Sequence, residues 1–376
     1  MARSGLCCFA ANMNKGERAY SAYETRNHGQ ATGRQSRFRA FARNIKSSVD
    51  RELGLWLAPR IARTKYLGDA ASALAEAVNQ FTMRGGKRVR AVLLAAACEG
   101  YGGPPSDAIL PALLSVELLH AYLLIHDDWM DEDEVRRGGP TVHAMLREHH
   151  TSARLGAIGA ILAGDLLAGY AMEALCETRV SPDRLRESIC EFVRMQVDVV
   201  LGQTLDVCKT EDVDAVHDLK TNSYTVRGPL LLGASLAGAS SAQKAELETF
   251  ARPLGIAFQI RDDLLGTFGD PRKTGKSTAS DLRQGKRTAL VHELLAGAGA
   301  ENRALLNRVL GVKDASQEDI ARLIGRFTSS GARSRVEARL GALLEEAHAQ
   351  LALMALSPAA RDLLAGAVSA LGEREQ

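Results

Sequence analysis

Asp127 and Asp131 stand four residues apart in IHDDWMDEDEVRRGGPTVH, residues 125–143. On a helix of 3.6 residues per turn that spacing puts both carboxylates on one face, pointing into the same volume. Two like charges held together require a counter-ion. Hard oxygen ligands with open positions suit Mg²⁺, which takes one or two protein carboxylates and fills its remaining shell with water and phosphate oxygens. The stretch is also segregated in sign, because Asp127, Asp128, Asp131, Glu132, Asp133 and Glu134 all precede Arg136 and Arg137. A surface salt-bridge lattice would mix the signs. The two arginines are placed to hold the phosphate oxygens that a metal leaves.

A second stretch repeats the order. In AFQIRDDLLGTFGDPRKTGKSTASDLRQGKRT, residues 257–288, an apolar segment leads through Asp262 and Asp263 into a basic turn with Arg272, Lys273, Lys276, Lys286 and Arg287. Either stretch alone is equally an exposed acidic helix end followed by an ordinary basic loop. The repetition argues instead for two helices facing each other across a bundle, with a cage of two or three metal ions roofed by lysines.

Helices are what the rest of the sequence supplies. Runs such as ASALAEAVNQF, VRAVLLAAACEGYG, LGAIGAILAGDLLAGYAMEAL and RLRESICEFVRMQVDVVLGQTLDV carry apolar residues at helical spacing, rich in Ala and Leu. There is no βαβ rhythm, so the expected class is all-α. Gly and Pro punctuate the runs at GYGGPPSD, RRGGP, VSPD, DPRKTGKS and LSPA. Residues 1–50 hold nine Lys or Arg against three acids and read as a disordered basic tail, with one helical domain over 51–376. That tail also has the Arg-rich, acid-poor character of a targeting peptide, without an apolar core for secretion.

The 376 residues carry 24% charged and 46% hydrophobic side chains, the composition of a soluble globular protein. A formal net charge of +2 argues against a broad nucleic-acid-binding surface. Six cysteines, without CxxC spacing, indicate neither a zinc knuckle nor a disulfide framework, and a reducing cytoplasm is the simplest location. No unbroken apolar run reaches the ~18 residues of a membrane span.

With both motifs in place, the chain resembles the trans-isoprenyl diphosphate synthases, the polyprenyl synthetase family. The first aspartate-rich motif of that family appears as DDWMD with EDEVRRGGPTVH, and the second as FQIRDDLLG with TGK and SDLRQGKRT. GGKRVR at 85–90 and KTNSYT at 220–225 match as well. The order holds over roughly residues 60 to 370. The resemblance implies a bundle of antiparallel helices around a deep cavity, usually as a homodimer. It implies head-to-tail prenyl transfer, in which an allylic diphosphate ionises and isopentenyl diphosphate attacks the cation.

By the same resemblance, Asp127, Asp128, Asp131, Asp262 and Asp263 hold two or three Mg²⁺. Arg136, Lys220, Gln259, Lys276 and Lys286 surround the allylic diphosphate. The second diphosphate must not ionise, and its metal-free cationic pocket falls on Lys87, Arg90, His120 and Arg137. Thr221 and Gln259 steady the carbocation through their oxygens, making Lys220, Thr221 and Gln259 the expected catalytic group. Taken singly, GGKRVR is an ordinary turn before a basic helix start, and Thr221 is equally a helix cap. One position departs from the family pattern: Gly266 stands where a third aspartate is expected, with Asp270 the nearest substitute.

Tyr122, five residues before Asp127, lies ~7–8 Å deeper at 1.5 Å rise per residue. Family logic treats such a residue as the floor of the product cavity. With Leu123 next to it, the pattern matches a geranylgeranyl diphosphate synthase; farnesyl and twenty-five-carbon products are the alternatives. A noncatalytic partner subunit would have lost ligands that are present here. A ferritin-like di-iron bundle needs ExxH pairs on its inward helices. A terpene cyclase needs no pocket for a second diphosphate.

Overall fold

The computed structural model describes residues 36–269, 280–297 and 299–372. These are helical almost throughout, so the fold is all-α. Contacts divide the chain into two compact units. One comprises Arg39–Val193 and Pro229–Lys244; the other comprises Arg194–Gly228, Ala245–Gln376 and the segment ending at Phe38.

The first unit is built on α4, Leu110–Met130, which packs against α3 (Val89–Gly100), α5 (Val142–His150) and α6 (Ala153–Cys176), while α2 (Asp69–Met83) covers α5. Nearly every residue of α4 from Ala112 to Tyr122 is buried, and that follows from LPALLSVELLHAYLLIHDDWM being apolar on all faces. The two-residue strands β1 (Val135–Arg136) and β2 (Gly139–Pro140) form a small hairpin that follows α4 in the chain.

The long helix α7 (Pro182–Val207) leads into the second unit, where the short α8 (Val213–Val216) runs directly into a π-helix, His217–Arg227. After α9 (Gly228–Ala237), which returns to the first unit, the chain continues through α10 (Ser241–Phe268), α11 (Ser280–Gln284), α12 (Ala289–Ala296), α13 (Ala300–Val309), α14 (Gln317–Ser329), α15 (Ala332–Leu353) and α16 (Pro358–Gly372). Here α15 packs on α12, α14 and α16.

One expectation is corrected. Helix α1 spans 36–64, so the segment 36–50 is not tail: Phe38, Ile45 and Val49 are buried at 7%, 4% and 0% exposure. Basic composition hides an apolar stripe at helical spacing. Residues 1–35 lie outside the described residues. As expected, no unbroken apolar run reaches membrane length: α4 and α6 have the length and mean hydropathy of a span, but polar residues interrupt both. In α4, 61% of the relevant window is buried within the protein, as in a core helix; in α6 the share is 33%.

A buried ion pair ties α1 to this core. Arg88 donates from Nε to Asp50 (2.8 Å) and from Nη1 to Glu117 (3.2 Å), and Glu117 also accepts from the backbone N–H of Ala91 (3.3 Å). The Arg88 and Glu117 side chains are 3% and 2% exposed. Removing one partner strands a buried charge. Glu117→Ala is therefore expected to destabilise the protein by about 3 kcal/mol and Glu117→Gln by less, as measured by urea unfolding.

Candidate active site

The first acidic motif closes α4. The amide of Asp131 donates to the carbonyl of Asp127 (2.8 Å), so the two residues occupy one helical turn as expected. Both are half-buried. They sit at the C-terminal end of the helix, where its dipole already places partial negative charge, so a divalent cation is favoured further. Their oxygens are a hard donor set that fits Mg²⁺ with room for water and phosphate.

Asp128 is different. It is fully buried, one oxygen accepts from Arg136 Nε, and Oδ2 has no hydrogen-bond partner among the described residues. Burial pushes its carboxyl up to about 7, although Arg136 opposes the shift. The carboxylate, expected among the metal ligands, lies behind the surface and anchors Arg136. The same contact alters Arg136, expected at the allylic diphosphate. Its Nη2 stands 3.8 Å from Asp127 and 3.4 Å from Asp133, so its guanidinium balances carboxylates of the motif.

The hairpin puts Arg136 there. Val135 pairs with Pro140 and Arg136 with Gly139, and the two turn residues, Arg137 and Gly138, have φ of 51° and 74°. Positive φ at both central positions is what a tight two-residue hairpin demands. A non-glycine residue held there costs on the order of 1 kcal/mol, and Arg137 is held by what its side chain reaches. It donates to the carbonyl of Gly85, and Nη2 lies 3.3 Å from His120 Nε2. Gly86, at φ 154°, allows the backbone this approach; a Cβ there would fall 3.2 Å from the guanidinium.

Three of the four residues expected to form the metal-free pocket thus share one locality. Burial, and then the charges of Arg90 and Arg137, hold the His120 imidazole well below its usual range. Because Arg137 can only donate, Nε2 of the neutral ring is its acceptor and Nδ1 carries the proton. Lys87 is exposed at the head of this segment. Arg88, between them in sequence, is the structural residue described above.

In the other unit, the π-helix is wedged against α7 and α10. A Cβ on Gly202 would collide with the backbone of Lys220, and one on Gly255 with the side chain of Asn222. Lys220 Nζ is held by Asp206 of α7 at 2.5 Å. The Thr221 hydroxyl donates to Gln259 Oε1 (2.7 Å), and Gln259 Nε2 donates to Asp263 Oδ1 (2.8 Å). Asp263 Oδ2 accepts from the backbone N–H of Ala289 (3.2 Å). Burial pushes the Asp263 carboxyl up to about 7 and the His217 imidazole, 3.7 Å from it, down to about 4. Asp262 is exposed and Asp263, expected beside it among the metal ligands, is buried like Asp128, with its oxygens engaged inside the protein.

Gly266 has a structural counterpart. A Cβ there would lie 3.0 Å from Asp281 Oδ2, so the space of the missing third aspartate is faced by a carboxylate from α11, which in turn lies 3.7 Å from Lys286 Nζ. Sequence reasoning missed Asp281 and Asp206; the acid inside SDLRQGK was the available signal for the first. Lys276 and Asp270 lie outside the described residues. Tyr122 is buried on α4 and packs edge-on to the His126 ring at 5.0 Å, with Leu123 half-buried beside it. Among the described residues no group of three His, Cys, Asp or Glu converges as a ready-made metal cage.

Residues 71–326 match the Polyprenyl synthetase family. A short chain isoprenyl diphosphate synthase of Methanothermobacter thermautotrophicus is 35% identical over 66% of this chain and 74% of its own. A geranylfarnesyl diphosphate synthase of Aeropyrum pernix is 35% identical over 70% and 82%. Among solved structures, a geranylgeranyl pyrophosphate synthase of Corynebacterium glutamicum, complexed with isoprenyl diphosphate and magnesium, is 31% identical with a TM-score of 0.82, covering 88% of this chain and 99% of that one.

The glycine wedge is testable without substrate. Gly202→Ala is expected to cost about 1–3 kcal/mol through overpacking. Gly325→Ala, inside α14 with nothing within 4 Å of its Cβ, is expected to stabilise by up to ~1 kcal/mol. Thermal unfolding of the two variants checks the contrast.

Proposed function

We infer the reaction from one premise: the chain belongs to the polyprenyl synthetase family. It is a prenyl-transferring enzyme, a trans-prenyl diphosphate synthase. The finer reading is Mg²⁺-dependent, head-to-tail condensation of isopentenyl diphosphate with dimethylallyl, geranyl or farnesyl diphosphate to give geranylgeranyl diphosphate. The observation that carries it is the shared helical turn of Asp127 and Asp131 at the C-terminal end of α4.

Asp127 and Asp131, and in the other motif Asp262, are the residues that would hold Mg²⁺. Bound there, the ions would neutralise the charge that develops on departing diphosphate. Lys220, Lys276 and Lys286 orient the allylic diphosphate. Lys87, Arg90, His120 and Arg137 receive the diphosphate of isopentenyl diphosphate, supported by the Arg137–His120 contact. Arginine there offers a planar fork of donors without a metal, so that second diphosphate is bound and not activated. Thr221 and Gln259 face the cation with oxygen, and the proton it loses leaves with diphosphate.

A twenty-carbon product is supported by Tyr122, a bulky buried side chain five residues before Asp127. The geranylfarnesyl diphosphate synthase among the relatives favours twenty-five carbons as the second reading. We place the enzyme in the cytoplasm on its cysteine pattern. A homodimer is supported by the apolar stripe that α6 leaves exposed at Leu155, Ile158 and Leu162, suited to a second copy.

Purified protein incubated with Mg²⁺, isopentenyl diphosphate and each allylic diphosphate is expected to yield a C20 diphosphate by mass spectrometry. Turnover that does not require isopentenyl diphosphate would identify a cyclase instead. Asp127→Ala is expected to lower kcat by about a thousandfold, on the scale of losing electrostatic stabilisation at one position. Tyr122→Ala is expected to lengthen the product, and an unchanged chain length would remove Tyr122 as the floor.

A further inference from the structure

A carbocation needs electron density from its neighbours, and a hydroxyl can offer it either lone pairs or a proton. We propose that Asp263 is a positioning residue that decides this for Thr221: its carboxylate fixes the Gln259 amide so that the Thr221 hydroxyl must donate to it. The inference rests on the prenyl-transfer reading above.

The chain of bonds leaves little freedom. The Gln259 amide has a donor end and an acceptor end, and either could face Thr221. Asp263 removes the choice. Its Oδ1 lies 2.8 Å from the amide nitrogen, and its Oδ2 is occupied by the backbone N–H of Ala289 at 3.2 Å. Each of those oxygens acts as an acceptor, so the NH₂ end must point to Asp263 and Oε1 must point to Thr221, 2.7 Å away. The only proton on Thr221 Oγ1 is then committed to Gln259. What remains on that oxygen is lone pairs. Donors and acceptors fixed before reaction stabilise a developing charge without reorganising for it.

The π-helix makes the arrangement rigid. Thr221 lies one residue from Asn222, which closes on Gly255 of α10, the helix that also bears Gln259 and Asp263 four residues apart on one face. Ala289 opens α12, and its backbone amide cannot turn away. A change at residue 263 is therefore transmitted to the one group able to rotate, the Gln259 amide.

Asp263→Asn replaces one acceptor oxygen by NH₂. Facing the fixed Ala289 amide with its oxygen, the substituted side chain presents NH₂ to Gln259, whose amide turns over and presents NH₂ to Thr221. The hydroxyl must then accept and aim its proton at the cation. Gln259→Glu combined with Asp263→Asn restores an acceptor toward Thr221 while keeping the net charge of the pair.

Wild-type turnover of the two diphosphates tests the reaction itself, and the variants are compared only against that rate. Asp263→Asn is expected to lower kcat by about tenfold, the scale of one charged hydrogen bond, with KM for both substrates within about twofold. The double variant is expected to regain most of the loss. In a Thr221→Val background, Asp263→Asn is expected to add no further loss. Mn²⁺ binding to the resting enzyme, followed by electron paramagnetic resonance, is expected to be unchanged by Asp263→Asn. The proposal is overturned by weakened Mn²⁺ binding, which would make Asp263 a ligand, or by an equal loss in the Thr221→Val background. Absent recovery in the double variant, whether through lost rate or lost fold, overturns it equally.

Discussion

The contact of Arg136 with Asp128 organises the first motif. Six acids within eight residues repel one another, and a fully buried carboxylate among them is costly unless a cation answers it. Arg136 does so from the hairpin, reaching Asp127 and Asp133 as well. Its position forces the chain to reverse at Arg137 and Gly138, and that reversal delivers the next arginine to Gly85 and His120. The two arginines are neighbours in sequence with opposite duties: one turned inward to carboxylates, the other outward to an imidazole and a carbonyl.

The second motif is ordered by close backbone approach. Gly202 of α7 and Gly255 of α10 admit the π-helix, a form that alters the usual side-chain register of a helix and occurs preferentially at functional sites. Lys220 consequently meets Asp206 on α7 while Thr221 meets Gln259 on α10. Consecutive residues of the chain are thus handed to two different helices, one as a charge and the next as a dipole.

Residue type and spacing reveal the helical class and the paired aspartates, because each depends on local periodicity, whereas the grouping of His120 with Arg137, 17 residues apart, comes only from the family resemblance. What they cannot rank is adjacent identical residues. Asp127 and Asp128, or Asp262 and Asp263, differ in burial, as do Arg88 and Arg90 one residue further apart; burial is set by what packs against α3, α4 and α10 and is not encoded in the local sequence. Arg88 has φ of 52° and turns into the core toward Asp50 and Glu117. Composition alone assigns Asp50 to the tail because basic residues outnumber acids around it, yet Val49 beside it is fully buried. Gly266 illustrates the converse: a missing carboxylate in one helix is faced by Asp281 from another, fifteen residues on.

In the proposed reaction the two diphosphates have different fates, and His120 bears on the one that stays. Burial and surrounding guanidinium charge hold its imidazole well below its usual range. A protonated histidine beside a diphosphate would be a general acid, able to help that group leave. A neutral one contributes hydrogen bonding without that capacity, and Arg137, which cannot give up its proton, contributes charge without it. In the reaction proposed, binding strength and leaving-group activation are therefore separated chemically: cations that never transfer a proton hold the diphosphate that must stay, and carboxylates able to hold divalent ions are kept for the one that must go.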